Sequence, residues 1–241
     1  MANDMNISGS GSVGSGEYNN VSVSGSARVG DIRCVNFTAS GAANCGKVEC
    51  EQRFTASGSC GAAEIKAGTL HASGSLRCGG DMTVDDEVKV SGSTHCGNLK
   101  CGRLKGSGST DVDNDIEAEN IYVTGKIECG GLMNAEEITI RFSNNMEIGS
   151  IGGSKIEIVK DDIKNRIKIP FLSAILQPAN ATVTVHNSIE GDEITVDNLK
   201  TPRVSGRIVK IGKSCEIDLV QYAESVEIDP EAKVGNTEKI G

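Results

Sequence analysis

The chain has 241 residues with 30 Gly, 4 Pro, no Trp and 3% aromatic residues, which excludes a wide core built on large rings. The net charge of −9 disfavours nucleic acid and anionic membrane surfaces as partners, because an acidic surface repels both. No apolar run is long enough to span a bilayer, and the opening MANDMNISGSG lacks the basic and apolar regions of a secretory signal. We therefore expect a cytoplasmic protein whose nine cysteines are thiols.

A repeat of near-constant length begins at the first residues of the chain. The glycine of each Ser-Gly or Thr-Gly pair marks one unit, and successive markers are 16, 16, 17, 16, 18, 16 and 17 residues apart. Composition alone does not produce this constancy, so we interpret each unit as one structural repeat. The markers are Gly9, Gly25, Gly41, Gly58, Gly74, Gly92, Gly108 and Gly125.

Apolar residues occupy fixed positions relative to each marker, in pairs two residues apart. Residues two apart lie on the same side of a strand, so each unit is predicted to hold three short strands separated by two glycine corners and a polar corner. Stacking the units in parallel predicts an all-β, triangular parallel β-helix with coils of about 16–18 residues. The crossover rule and the drifting unit length favour right-handed winding. The column four residues before the marker comprises Met5, Val21, Phe37, Phe54, Leu70, Val88, Leu104 and Ile121.

The repeat predicts N-terminal coils over residues 1–160 and C-terminal coils over residues 183–230. Residues 161–182 interrupt the rhythm with the most apolar patch of the chain and two of its four prolines, so we interpret them as an inserted arm. Residues 231–241 form a polar tail that closes or frays the end. The arm residues predicted to contact a partner or a membrane are Ile169, Phe171, Leu172, Ile175 and Leu176.

The cysteines are the strongest candidates for metal binding, but their positions favour a role in the core. CGKVEC and HCGNLKC suggest metal ligands, whereas zinc requires thiolates clustered around one point. Seven cysteines fall in two inward columns where Val or Ala stands in other units, and there cysteine acts as a small apolar residue. Stacked neighbours, such as Cys34 with Cys50 and Cys78 with Cys96, can cross-link under oxidation.

Other polar motifs lack the residues that their chemistry needs. DVDND, at residues 111–115, lacks the glycine and the distal Glu of a calcium loop, and SGSGSVGSG lacks the Gly-Lys-Ser ending of a phosphate loop. His71 and His95 fall between inward positions and are expected to be solvated. We predict no catalytic, cofactor-binding or metal-binding residue, and no enzyme activity.

A stack of parallel strands ends in unpaired backbone groups, which are a template for another chain. We see no capping helix at either end of the repeat and therefore expect copies to join end to end into filaments, without a nucleotide. The residues predicted from position to form the polymerisation interface are Met5, Ile7, Val220, Tyr222, Val226 and Ile228.

The serial Ser-Gly, Val-Ser-Gly-Ser and Val-x-Gly pattern resembles the bactofilins, which are polymer-forming bacterial cytoskeletal proteins. IEGDEITVDNLKTPRVSGRIVKIGKSCEIDLVQY, residues 189–222, is similar to the C-terminal half of bactofilins from Gram-positive rods. The resemblance implies a right-handed β-helix, nucleotide-independent filaments and a scaffold role in cell shape, polar organisation, wall synthesis or motility. It also implies, as partners, further copies of the chain, a second bactofilin, or a membrane or wall protein.

Two features depart from the bactofilin pattern. Many bactofilins carry a short apolar N-terminal membrane tag, whereas this chain starts MANDMNI, so membrane association is expected to be at most indirect. The arm at residues 161–182 interrupts the coil, where short family members run through.

The main alternative is a β-helix enzyme or carbohydrate-binding protein of the lyase or acyltransferase type. Such proteins mount carboxylates, His or aromatic residues on one outer face and add long loops there. This chain has one long excursion, and its outward positions are mostly Ser, Thr, Asn, Lys and Glu. An ice-binding surface would need flat ranks of Thr or a secretion signal. The pattern therefore favours a structural protein.

Overall fold

The computed structural model describes residues 3–161 and 181–241. These residues form strands, turns and bends without a helix, and the strands pair in parallel as a β-solenoid. The all-β parallel architecture predicted from the repeat is confirmed. The chain divides into two compact units, Met1–Glu119 and Asn120–Gly241.

The strands of the first unit are closely spaced, as the glycine markers predict, and most are short, although the two longest, Ala42–Ala56 and Ser59–Ala72, have 15 and 14 residues. They are β1 (Asn3–Ile7), β2 (Ser10–Val13), β3 (Gly16–Val23), β4 (Ser26–Val29), β5 (Ile32–Ala39), β6 (Ala42–Ala56), β7 (Ser59–Ala72), β8 (Ser75–Cys78), β9 (Met82–Val90), β10 (Ser93–Cys96), β11 (Leu99–Gly106), β12 (Ser109–Val112) and β13 (Ile116–Glu117).

Equivalent residues of successive coils in the first unit lie directly over one another. Phe37 pairs with Val21 in the coil before it and with Phe54 in the coil after it, and Phe54 pairs with Leu70. The Phe37 and Phe54 rings stack with their centroids 4.8 Å apart. All four side chains are buried, so the predicted apolar column is confirmed.

Three sides per coil follow from the same register. Ala27 and Val29 are buried on one side, and Ile32 and Cys34 on the next. The register between β5 and β6 then slips between Cys34 and Asn36, where the chain turns into the third side. Each side therefore contributes two inward residues to a narrow core, as predicted.

The Ser-Gly corners are glycine because successive corners nearly touch. A Cβ atom on Gly41 would lie 2.0 Å from the carbonyl oxygen of Gly25 in the coil before it. The backbone N–H groups of Ser40 and Gly41 both donate to the Val23 carbonyl, at 2.8 and 3.1 Å. Only a residue without a side chain lets the corners stack this closely. The same clash, at 1.9–2.0 Å, recurs at Gly25, Gly58, Gly74, Gly92 and Gly108.

The second unit repeats this construction with longer strands. Its strands are β14 (Asn120–Val123), β15 (Lys126–Phe142), β16 (Met146–Lys160), β17 (Val183–Val185), β18 (Ser188–Val196), β19 (Leu199–Ile211), β20 (Glu216–Ile228) and β21 (Lys233–Lys239). The register links one apolar column through all of its coils. That column comprises Ile121, Ile138, Ile156, Ile194, Val209 and Val226.

Strand β21 lies within the stretch predicted as a polar tail. It pairs in parallel with β20, from Glu216 with Lys233 to Tyr222 with Lys239. The tail thus continues the solenoid with polar residues, because an outermost strand needs backbone partners on one side only.

The flanks of the inserted segment are fixed to the coils by side-chain acceptors. The Lys160 N–H donates to Asp197 Oδ1 at 2.7 Å, and the Thr182 N–H donates to Asn145 Oδ1 at 3.0 Å. The five arm residues for which a partner or membrane contact was predicted lie outside the described residues. They are Ile169, Phe171, Leu172, Ile175 and Leu176.

Candidate functional site

The edge of the first unit is formed by β1. Within the described residues β1 pairs with β3 alone, so its other side carries unpaired backbone groups. Met5 and Ile7 are half-buried, whereas the next residues of their columns, Val21 and Val23, are buried. Both predicted N-terminal interface residues therefore lie on this edge.

A ladder of side-chain amides also ends at β1. Asn36 Nδ2 donates to Asn20 Oδ1 at 3.1 Å, and Asn20 Nδ2 donates to Asp4 Oδ1 at 2.9 Å. The backbone N–H of Asn20 donates to the same Asp4 oxygen at 3.1 Å. The donors all point towards the edge, so the last acceptor of the ladder is an exposed carboxylate.

The edge of the second unit has two parts. Val226 and Ile228 pair with Val209 and Ile211, and no described strand pairs with their other side. Val226 is half-buried, and Ile228 is 37% exposed. Beside them, β21 presents Val234, half-buried, among polar residues.

Two other predicted interface residues lie beneath β21. Val220 pairs with Thr237 and is fully buried, so it is an interior residue and not an edge residue. Tyr222 pairs with Lys239 and is half-buried. The sequence interpretation missed this because it treated the polar tail as lying outside the coils.

Both edges carry carboxylates. Asp4 and Glu17 are exposed on the first unit, and Glu227 and Glu238 on the second. Glu238 accepts a hydrogen bond from Gln221 at 3.1 Å, and Glu227 lies 3.8 Å from the Lys210 ammonium. The second edge also exposes Lys233 and Lys239 on β21, but carboxylates that face carboxylates oppose contact between copies at low ionic strength.

All nine cysteines are buried thiols, which confirms their predicted place in the core. The thiols of Cys34 and Cys50, in register on β5 and β6, are 3.4 Å apart. The hydrogen bond from Cys50 lowers the pKa of Cys34, while that bond and burial raise the pKa of Cys50. The pair thus releases a first proton more readily than a second, because a second charge would be buried beside the first.

Burial holds four other thiols in the neutral form. Burial raises the pKa of Cys96 and of Cys101 to about 12, and the pKa of Cys215 to about 11. The Cys78 thiol donates to the Asp81 carbonyl at 3.4 Å, and burial raises its pKa as well. A neutral thiol is a poor nucleophile, so these cysteines behave as packing residues.

His95 is not solvated as predicted but half-buried. Its Nδ1 lies 3.3 Å from Asp111 Oδ2, and its Nε2 lies 3.4 Å from Asp113 Oδ2. Asp111 is the residue in register with His95 on the next coil. The spacing of one repeat between His95 and Asp111 was the signal in the sequence that could have indicated this contact.

Two general properties bear on function. Within residues 3–161 and 181–241, no three His, Cys, Asp or Glu side chains are grouped so that they could hold a metal ion. The described part of the chain holds no helix with the length and apolar character that crossing a bilayer requires.

Comparison with known proteins gives relatives in Bacillus subtilis (strain 168). The uncharacterized protein YhbE is 30% identical over 111 residues, which are 46% of this chain and 44% of that protein. The uncharacterized protein YhbF is 28% identical over 111 residues, which are 46% of this chain and 42% of that protein. The match therefore spans less than half the length of either relative. No family model and no solved structure matches the chain.

Proposed function

We propose that this protein is a bactofilin-like cytoskeletal scaffold that assembles end to end into filaments without a nucleotide. On this proposal the protein is cytoplasmic, and it is a structural protein and not an enzyme. Its main partner is a second copy of the chain. A related polymer-forming protein, or a protein of the membrane or wall, is a further partner through which it organises cell shape, wall synthesis or motility machinery.

The observation that carries the proposal is the pair of apolar strand edges. Within the described residues, Met5 and Ile7 on β1 pair with Val21 and Val23 on one side only, and Val226 and Ile228 on β20 pair with Val209 and Ile211 on one side only. A second copy placed on either edge supplies backbone partners for the unpaired strand and removes these side chains from water. Backbone pairing and apolar burial are the same two interactions that hold one coil on the next within each unit.

The carboxylates at the edges set the conditions for assembly. Asp4 and Glu17 on one edge and Glu227 and Glu238 on the other repel the same groups on a second copy. Salt screens exposed charges, and the screening length falls from about 30 Å at 0.01 M to about 8 Å at 0.15 M. Filaments are therefore expected to grow more readily as ionic strength rises.

The test is negative-stain electron microscopy of the purified chain without nucleotide, at low and at physiological salt. The wild type is expected to form filaments at physiological salt. Val226→Arg and Ile228→Arg are expected to give single particles with an unchanged far-ultraviolet circular dichroism spectrum, because each places a charge in the apolar edge. Ser205→Arg is the matched control, since it adds the same charge at an outward position of an interior coil, between Glu190 and Gln221.

Two results would count against the proposal. Single particles of the wild type under every salt condition would remove self-assembly and favour the enzyme or carbohydrate-binding alternative. Filaments of both arginine variants, equal to those of the wild type, would show that the β20 edge is not the contact.

A further inference from the structure

Two buried thiols in the first unit are placed for a reaction that the scaffold role does not require. Cys34 and Cys50 are in-register neighbours on adjacent parallel strands, which lie about 4.8 Å apart. A disulfide needs a Cα–Cα distance of about 4.4–6.8 Å, so the backbone already satisfies this requirement. The sulfur atoms are 3.4 Å apart, and side-chain rotation is the remaining movement.

A surface groove reaches Cys50 of this pair. The groove encloses about 290 Å³ and is lined by Arg33, Glu49, Cys50, Lys66 and their neighbours. It is large enough for hydrogen peroxide or a small organic hydroperoxide. Cys34 and Cys50 are 3% and 5% exposed, so a bulky oxidant is excluded while a small one reaches the sulfur by a local opening of the coil edge.

The neighbouring thiols differ from this pair in their register or in their hydrogen-bond partner. The Cys78 thiol donates to the backbone carbonyl of Asp81 and not to a second thiol. The Cys45 and Cys60 thiols also interact, since a hydrogen bond with Cys60 raises the pKa of Cys45, but Cys45 is in register with Ala62 and Cys60 with Ala43. Cys34 and Cys50, by contrast, are in direct register, with their sulfur atoms 3.4 Å apart.

We propose that Cys34 and Cys50 form an oxidation site, at which a small hydroperoxide converts the two thiols to a disulfide joining successive coils. One thiolate of the pair attacks one peroxide oxygen, and the O–O bond breaks to give a sulfenic acid on that cysteine and hydroxide, which takes up the proton lost from the thiol. The second sulfur of the pair then attacks the sulfenic acid sulfur, forms the S–S bond and releases water. Two thiols are oxidised, one hydrogen peroxide is reduced, and two waters leave.

The test uses the full-length reduced protein and stoichiometric hydrogen peroxide, followed by alkylation of the remaining thiols in denaturant and mass spectrometry without reduction. Trypsin cleaves after Arg33, Lys47 and Arg53, so Cys34 lies in the peptide 34–47 and Cys50 in the peptide 48–53. We expect these two peptides to be linked, with the loss of two hydrogens. Fragmentation, or the same result in Cys45→Ala, distinguishes Cys34 from Cys45 within the first peptide.

Three variants test whether the linkage requires both Cys34 and Cys50. Cys34→Ser is expected to lower the yield of the linked peptide at least tenfold. Cys50→Ala is expected to remove it and to leave a Cys34 sulfenic acid that dimedone traps. Cys78→Ala, which changes a thiol of similar burial outside the pair, is expected to leave the yield unchanged.

Absence of the linked peptide at a peroxide concentration that oxidises glutathione would overturn the proposal. A different cysteine pair as the main product, or linkage only after denaturation, would also overturn it. Circular dichroism of each variant establishes that the fold is retained. None of these results depends on filament formation.

Discussion

Replacement of Gly58 by Ala tests the idea that glycine corners set the coil stacking. Gly58 stands in the Ser-Gly corner between β6 and β7, and a Cβ atom there would lie 2.0 Å from the Gly41 carbonyl oxygen. Real Cβ atoms do not approach closer than about 3.0 Å, so the two corners must separate by about 1 Å (3.0 minus 2.0). The contact is with backbone, so no side-chain rotation can relieve it.

The cost follows from the bonds that this separation weakens. Ser57 N–H donates to the Ala39 carbonyl at 2.8 Å, and Ser59 N–H donates to the Gly41 carbonyl at 3.0 Å. Lengthening both by about 1 Å forfeits about 0.5–1.5 kcal/mol each, and the strain of overpacking adds about 1–3 kcal/mol. We expect Gly58→Ala to lower the free energy of unfolding by about 2–6 kcal/mol.

The assay is urea unfolding followed by far-ultraviolet circular dichroism, with two matched alanine variants. Gly61 lies in the same coil, and its added Cβ would meet only Asn44 Oδ1 at an ordinary 3.6 Å. Gly9 is the first corner glycine, and a Cβ there would meet no atom within 4 Å. Both variants are expected to change stability by less than about 1 kcal/mol. An equal loss in Gly58→Ala and Gly9→Ala would refute the stacking argument.

Three further changes test individual interactions. Thr94→Val is expected to raise the free energy of unfolding by about 1 kcal/mol, because the buried Thr94 hydroxyl has no hydrogen-bond partner among the described residues. If Thr94→Val instead lowered the free energy of unfolding by as much as Thr94→Ser does, this reasoning would be contradicted. Lys105 and Arg103 lie 2.7 and 3.9 Å from Glu87, and the bond to Lys105 lowers the pKa of Glu87 below its ordinary 4.5. The charged Glu87 side chain therefore stabilises the fold fully above its ordinary pKa, and this stabilisation is lost as the pH falls through the lowered pKa. Between about pH 5 and about pH 3, the melting temperature of Glu87→Gln should fall less than that of the wild type. Ser214 has a φ of 56°, so Ser214→Gly is expected to raise stability by about 0.5–1 kcal/mol in urea unfolding, and no gain would argue against strain at that turn.

The repeat could be predicted from the sequence because every inward position recurs. Phe37, Phe54 and Leu70 share one place in their units, and period-two alternation indicates which residues face inward. The corners were equally visible, since only glycine fits where one corner lies against the next. These are local rules repeated along the chain, so one unit predicts the others.

The contacts of the outward and terminal residues could not be predicted in the same way. Residues Lys233–Lys239 are polar on both faces, so the sequence has no alternation of apolar and polar residues that would distinguish a strand from a frayed tail. The parallel pairing with β20 shows that they form a strand. His95 lies between inward positions, and only the register with Asp111 places a carboxylate against its ring. In each case the deciding information is the identity of the neighbour one coil away.

That neighbour relation accounts for the core, the surface and the proposed assembly together. In a parallel stack each side chain contacts the equivalent side chain of the next coil. Identical residues are therefore favoured where the contact is between apolar groups, as for Phe37 with Phe54, or between side-chain amides, as for Asn20 with Asn36. Like charges would repel at strand spacing, and one outward column accordingly alternates in sign. That column runs through Glu17, Arg33, Glu49 and Lys66. At an edge the column lacks its next occupant, and a second copy can supply it by the same rule.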